Sequence, residues 1–514
     1  MMSYVDVPAD PPESEPLSNE WLSNERLSNE VHSIEPLSPA DLADAPLLAA
    51  WLRYAASSVT PFTIPGHKGI AGRLWSPLGA VLAGDVPLYG GLDTVKLSAG
   101  ALADAQARAA RFWGGDWCRF STGGSTHTNQ VLALAVAQPG DTVLVARSAH
   151  RSTLLGLVLA GLHPVWLPTT VDSRFDVPVG VSPADLSQAL TDHPGARAVF
   201  LVEPSYLGAL SDLPVLIDLA HAAGVAVVVD QAWGAHFGLH PSLPAHALQQ
   251  GADAMVFSAH KTLPAYSQAS VLVARTGRLD PSRLDRAFEA ANTTSPAGSI
   301  LASIDGARAL LSANGPALLA PLIGLAAQAR ERLRAVAGLL VPGPEDFAPG
   351  RFDPTKLVIV VAGTGASGIA VEADLVRAGL PVEMADQDTV VPILTLADTG
   401  STVTRLLDAL IAAVERHRGR PRQLASAVHW SAAPVAAVPP RDAFFARHET
   451  VAADAAVGRC CAEVVAPYPP GVPVLVPGEV VTAAILAALR DARARGTRIA
   501  YAADPSLATL QVLA

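Results

Sequence analysis

Apolar and amphipathic segments alternate along this chain from about residue 60 to 300. Thr142–Val145, Pro164–Leu167, Ala198–Val202, Val225–Val229, Met255–Phe257 and Ser270–Ala274 are short, rich in β-branched residues and bounded by turn formers. Helical runs such as Pro214 to Ala223 separate several of them. Continuous apolar strands joined through helices predict a mostly parallel sheet, covered on both faces. In such a sheet ligands bind beyond the carboxyl ends of the strands. Residues just past those ends are therefore the first place to look for chemistry.

The flanking regions read differently. Residues 1–42 are polar and repeat a five-residue unit, Leu17-Ser18-Asn19-Glu20, Leu22-Ser23-Asn24-Glu25 and Leu27-Ser28-Asn29-Glu30. That period suits neither helix nor strand, and the segment predicts a disordered tail because it buries too little apolar surface to offset its ordering entropy. A helix is expected near Ser38-Pro39, with serine as cap and proline at the first helical position. Residues 43–300 form the first domain, and residues 301–433 form a smaller α/β domain around the strand Leu357–Val361. Pro434 to Pro440 reads as a linker into a C-terminal domain, residues 434–514.

Composition narrows the function classes. Half of the 514 residues are apolar and 16% are charged, which supplies a large core. No stretch reaches the roughly 18 uninterrupted apolar residues of a membrane helix, and no secretory signal pattern precedes the tail. The net charge of −11 argues against a nucleic-acid partner, because phosphate contacts need concentrated Lys and Arg. Cys118, Cys460 and Cys461 form neither a disulfide framework nor a metal-ligand set, as expected in a reducing cytoplasm.

Two strand ends carry the chemistry. Val225–Val229 runs into Asp230-Gln231-Ala232-Trp233-Gly234, and Ala254–Phe257 into Ser258-Ala259-His260-Lys261-Thr262. A strand-end aspartate with a strand-end Ser-x-His-Lys suits pyridoxal 5'-phosphate (PLP). The lysine forms the Schiff base, and the aspartate keeps the pyridine nitrogen protonated. An unpaired carboxylate at a buried strand end is expensive, and a pyridinium partner removes that cost. Ala232 is small enough for a ring to lie against it. Ser258 and His260 are candidate phosphate donors. Ser121-Thr122-Gly123-Gly124-Ser125-Thr126 leads into the apolar helix Val131–Ala137, so Ser125 and Thr126 join free N–H groups and the positive helix end in a phosphate cup. His150 follows the strand Thr142–Val145 and is placed to stack on the ring and assist proton transfer.

These clusters, in this order, resemble the Orn/Lys/Arg decarboxylases, PLP enzymes of the aspartate-aminotransferase fold (fold type I). The likeness extends over Pro65-Gly66-His67-Lys68, His150-Arg151-Ser152, Glu203-Pro204-Ser205-Tyr206-Leu207-Gly208 and Asp230 to Phe237. Farther on it covers Asp353-Pro354-Thr355-Lys356-Leu357, Val382-Glu383-Met384-Ala385-Asp386, and the terminal Arg459 to Glu463, Pro467 to Pro473 and Pro477-Gly478-Glu479. The terminal block is the most discriminating, since aminotransferases of this fold lack it. The resemblance implies decarboxylation of arginine, lysine or ornithine, feeding polyamine metabolism. It implies that Lys261 binds PLP, Asp230 pairs with its nitrogen and His150 stacks on it, with Ala232 and Trp233 beside the ring. Ser125, Thr126, Ser258 and His260 then hold the phosphate. His67 lies toward the substrate entrance, and Glu463 is the candidate for a distal substrate cation. The shorter branch, without an N-terminal wing domain, and a homodimer or larger assembly with shared sites are also implied. Leu88 and Thr94 stand where family members carry acids, which bears on substrate more than on cofactor. An aminotransferase and a weakly active PLP-binding regulatory protein are the alternatives.

Overall fold

The computed structural model describes residues 39–55, 65, 67, 85, 99–424, 435–468 and 471–514. The five-residue repeat, Leu88 and Thr94 lie outside the described residues. A helix does begin at Pro39.

The apolar runs close into one seven-stranded sheet. Its strands are β1 (Trp117–Ser121), β2 (Thr142–Ala146), β3 (His163–Leu167), β4 (Ala198–Val202), β5 (Ala226–Asp230), β6 (Ala254–Ser258) and β7 (Ser270–Ala274). The spatial order is β1-β7-β6-β5-β4-β2-β3. All neighbours are parallel except β7, which runs antiparallel to β1 and β6. Strand β1 escapes sequence analysis because Arg119 interrupts its apolar run. Its guanidinium lies over the Trp117 ring and reaches Asp285, so the charge stays at the surface while its neighbours are buried.

Alternation along the buried strands feeds two cores. Val227, Val229, Met255 and Phe257 pack on one face, and Ala226, Val228, Ala254 and Val256 on the other. Each buried large side chain is worth about 1.5–3 kcal/mol. Covering helices include α1 (Pro46–Ala55), α2 (Ala101–Phe112), α3 (Gly124–Val136), α4 (Arg151–Ala160) and α5 (Leu213–Ala222). A single turn, α6 (Ala259–Thr262), follows β6 without a break.

Helix α7 (Gly298–Arg334) joins two cores. Leu301, Ala302 and Ile304 pack with the large sheet, whereas Leu319, Leu322, Ala326 and Leu333 pack with a second cluster. Pro316 falls between the two clusters, and Pro321 lies within the second. By length and composition α7 would cross a membrane. Here it carries the buried pair Asp305–Arg308 and packs against α1 and α2. The second cluster encloses a three-stranded sheet of β8 (Ile359–Val360), β9 (Met384–Ala385) and β10 (Thr389–Val391), in the order β8-β10-β9. Helices α8 (Gly368–Arg377) and α9 (Gly400–Arg416) cover it. The run predicted as a strand over Leu357–Val361 is cut to two residues, because its start turns to hold a side chain in the site described below.

The C-terminal region has its own core around Val465, Leu475, Leu486 and Val512. It is tied to the large sheet by a buried ion pair that the sequence does not announce. Arg147 donates to both oxygens of Glu479 at 2.8 and 3.1 Å, and to the Val474 carbonyl at 2.6 Å. Both side chains are at most 4% exposed. Removing one partner strands a buried charge. Arg147→Met should therefore cost about 3–5 kcal/mol in urea unfolding, and Glu479→Leu added to it should recover most of that loss. Equal losses in the single and double variants would refute this account.

Candidate active site

Chain geometry at the end of β6 sets the first half of the site. Ser258 is the last strand residue and is buried, and the chain turns directly into α6, which carries His260 and Lys261. Facing it is the start of α3. Gly124 has φ +65°, which suits glycine, and its N–H bonds the Gln268 carbonyl at 2.9 Å. The next residue, Ser125, places its hydroxyl 2.7 Å from that of Ser258 and 3.3 Å from that of Ser270. Thr128 reaches Ser270 at 3.1 Å, and Thr126 is exposed at the same helix start. Clustered hydroxyls at the positive end of a thirteen-residue helix form a donor set for an anion. His260 behaves differently from the serines. Its Nδ1 contacts the Ala269 carbonyl at 2.8 Å and must donate there. Nε2 then donates only as imidazolium, a form that burial disfavours.

A polar chain through buried side chains sets the second half. Asp230 is 7% exposed at the end of β5. Its Oδ1 accepts the Ala232 N–H at 3.0 Å, and its Oδ2 accepts from Asn129 Nδ2 at 2.7 Å. The Asn129 amide also donates to Ser152 Oγ at 2.9 Å, and Ser152 lies 2.8 Å from His150 Nδ1. His150 Nδ1 accepts the Ser152 backbone N–H as well, which makes His150 the cap of α4. With Nδ1 accepting, the neutral ring carries its proton on Nε2. The ring is open toward the site, yet burial holds its pKa below the usual histidine value. Asp230 opposes this shift, and Lys261 and Arg151 add to it. The carboxylate is thus partly satisfied by the protein itself. Asn129 stands in the cluster read as a phosphate cup, but the structure puts it under Asp230.

Lys261 stands over the indole of Trp233, with Nζ 4.2 Å from the ring centre. Burial lowers its pKa, against the pull of Asp230 and Glu383. Trp233 packs edge-on against Tyr206 at 5.1 Å, and the Tyr206 hydroxyl donates to Glu383 at 3.1 Å. A second lysine, Lys356, reaches the same indole with Nζ at 4.0 Å. Its segment is clamped by His236, whose Nε2 meets both Asp353 oxygens at 3.1–3.2 Å. Lys356, Glu383 and Tyr206 all lie within motifs visible in the sequence, but no periodicity there shows that their side chains converge.

The remaining sequence candidates are accounted for as follows. Ala232 lies half-buried beside Asp230. His67 pairs with Asp85 at 3.1 Å. Glu463 is 7% exposed, and both its oxygens accept backbone N–H groups, from Ala503 and Gln511, each at 2.6 Å. It serves the C-terminal loops, not an open binding position. Among the described residues no cluster of His, Cys, Asp or Glu is built to hold a metal.

Comparison with known proteins identifies the family and the fold. Residues 45–342 match the family model of the Orn/Lys/Arg decarboxylase major domain, and residues 423–498 that of its C-terminal domain. The chain is similar to the arginine decarboxylase of Halalkalibacterium halodurans, 33% identical over 91% of this chain and 97% of that protein. It is also 33% identical to the arginine decarboxylase of Bacillus subtilis, over 85% of this chain and 91% of the other. The solved structure of lysine decarboxylase A from Pseudomonas aeruginosa superposes with a TM-score of 0.77 at 21% identity, covering 91% of this chain and 80% of that one. The fold is accordingly PLP fold type I, with a C-terminal domain.

Nitrogen-15 NMR of labelled protein should find neutral His150 protonated on Nε2 and titrating below the ordinary histidine value of about 6.5. Because burial depresses this pKa, the charged form appears only as pH falls past the usual range. A proton on Nδ1 would break the proposed Asn129–Ser152–His150 chain.

Proposed function

Because the chain belongs to the Orn/Lys/Arg decarboxylase family, we propose that it uses PLP to decarboxylate arginine, lysine or ornithine to the corresponding amine and CO2. The observation that carries this reading is the meeting of Lys261 and Asp230 at one sheet edge, close enough for the aspartate charge to act on both Lys261 and His150. The residues fit the cofactor. Lys261 offers a desolvated amine, Asp230 a buried carboxylate, and Ser125, Ser258 and the start of α3 an anion cup. When bound, PLP supplies an electron sink for the pair released from Cα.

The protein's own contributions follow from position. Lys261 would hold the cofactor through its amine. Asp230, fixed by Asn129, would offer its carboxylate to the ring nitrogen. His150 presents an Nε2–H toward the site, where ring stacking and proton transfer are both within its chemistry. Ala232 and Trp233, next to Asp230 in the chain, would lie beside the ring, and His67 would serve the substrate entrance. Glu383 is exposed, hydrogen-bonded to Tyr206, and its charge acts on both site lysines. It is therefore a better seat for a distal ammonium or guanidinium than the occupied Glu463. Orientation of the scissile bond selects CO2 loss over amino transfer. We assign the enzyme to the cytoplasm, as three free cysteines suit, and expect a homodimer or larger assembly whose products feed polyamine metabolism.

Purified protein should absorb near ~420 nm, the value expected from the cofactor's own chemistry, and borohydride should remove that band. Lys261→Ala should abolish it, and persistence of the band would displace Lys261 from its role. Labelled CO2 release, measured in parallel from arginine, lysine and ornithine, tests the reaction. Transfer of the amino group to a keto acid with no CO2 from any of them would replace this reading with an aminotransferase. Glu383→Gln should raise KM for the preferred substrate by about tenfold, the loss of one charge-assisted contact of ~1.4 kcal/mol, with a smaller change in kcat.

A further inference from the structure

Only four of the 36 basic Lys and Arg residues are lysines: Lys68, Lys96, Lys261 and Lys356. Two of the four meet over one indole. Lys261 and Lys356 place their amines 4.2 and 4.0 Å from the Trp233 ring centre. The nitrogens are therefore no farther apart than those two distances laid end to end. Lys356 is 7% exposed, and among the described residues its Nζ lies over two aromatic rings, Trp233 and, at 5.6 Å, Tyr206.

The fold takes trouble to put it there. Arg330 donates to the Lys356 carbonyl at 3.1 Å and to that of Pro354 at 2.7 Å. Gly208, with φ +93°, lets the stem pass, since an added Cβ would stand 2.8 Å from Lys356 Cβ and Cγ. A chain that elsewhere favours arginine keeps a compact ammonium here, on a largely buried side chain whose amine is given no carboxylate hydrogen bond among the described residues. Such a group is costly unless a ligand completes it.

We propose that Lys356 is the seat of the substrate's α-carboxylate, a specificity residue that reads the acid end as the substrate docks beside Lys261. This rests on the decarboxylase reading above and adds the group that recognises the substrate's acid end. Charged or titratable groups around the Lys356 amine are Lys261, Asp353, Glu383 and Tyr206. Burial depresses the amine to about 8, with Asp353 and Glu383 opposing and Lys261 contributing. An arriving carboxylate would oppose that depression and favour the charged amine. A cation on the carboxylate stabilises the ground state, so its loss falls on KM more than on kcat.

Holoenzyme fixed by borohydride at Lys261 does not turn over and so permits equilibrium calorimetry. Arginine, lysine and ornithine are compared with agmatine, cadaverine and putrescine, which lack only the carboxylate. Wild type should bind at least one acid tenfold or more tightly than its amine. Lys356→Met and Lys356→Gln should erase that preference while keeping the affinity for the amine. In the same borohydride-fixed wild-type protein, pH-dependent acetylation of Lys356 gives a second readout free of folding effects. The acid, and not the amine, should raise the Lys356 midpoint by one pH unit or more. Retained preference in the variants, or an unmoved midpoint, overturns the proposal while leaving the decarboxylase reading standing. Failure of all six ligands to bind wild type overturns both.

Discussion

The site depends on keeping an ionised carboxylate buried at the end of β5. Asp230 sits where the sheet is most apolar, one residue past Val229 and beside Val256. A bare charge there would cost several kcal/mol. The Asn129 amide and the Ala232 N–H lower that cost without neutralising the group. The same amide reaches Ser152 and so orients His150. One polar chain thus fixes the anion beneath the site and the imidazole beside it, and both come from the rigid ends of strands and helices.

A second constraint concerns charge across the mouth. The large sheet supplies Lys261, Trp233 and Tyr206, whereas Lys356 and Glu383 come from the segment built on the second core. Helix α7, with Pro316 between the cores, carries the chain from one to the other. The His236–Asp353 contact locks the segments together. Burial works to raise the Asp353 carboxyl, but His236 and Thr355 hold it below the ordinary range. Lys356 lies inside and Glu383 at the exposed rim, so the two charges stand at different depths.

The C-terminal region reaches the same neighbourhood from another side. Arg151, next to His150, has its guanidinium 4.3 Å from the Tyr501 ring centre. Arg147, four residues earlier, is committed to Glu479. The short stretch after β2 therefore couples the terminal region to the imidazole of the site. This gives a physical reason why the terminal motifs accompany the strand-end motifs in one chain.

The sequence by itself determined the sheet, the strand-end positions of Asp230 and Lys261, and the helix-start hydroxyls. Each depends on local pattern: apolar runs, turn residues and their order along the chain. It also supplied the segments holding Tyr206, Lys356 and Glu383, without their purpose. Tertiary structure alone decided that Asn129 turns to Asp230, that Lys356 shares an indole with Lys261, and that Glu463 is consumed by backbone N–H groups. Strand β1 stayed hidden because a surface arginine broke its apolar run. Contacts between side chains distant in sequence follow from how the elements pack, and no local periodicity encodes that.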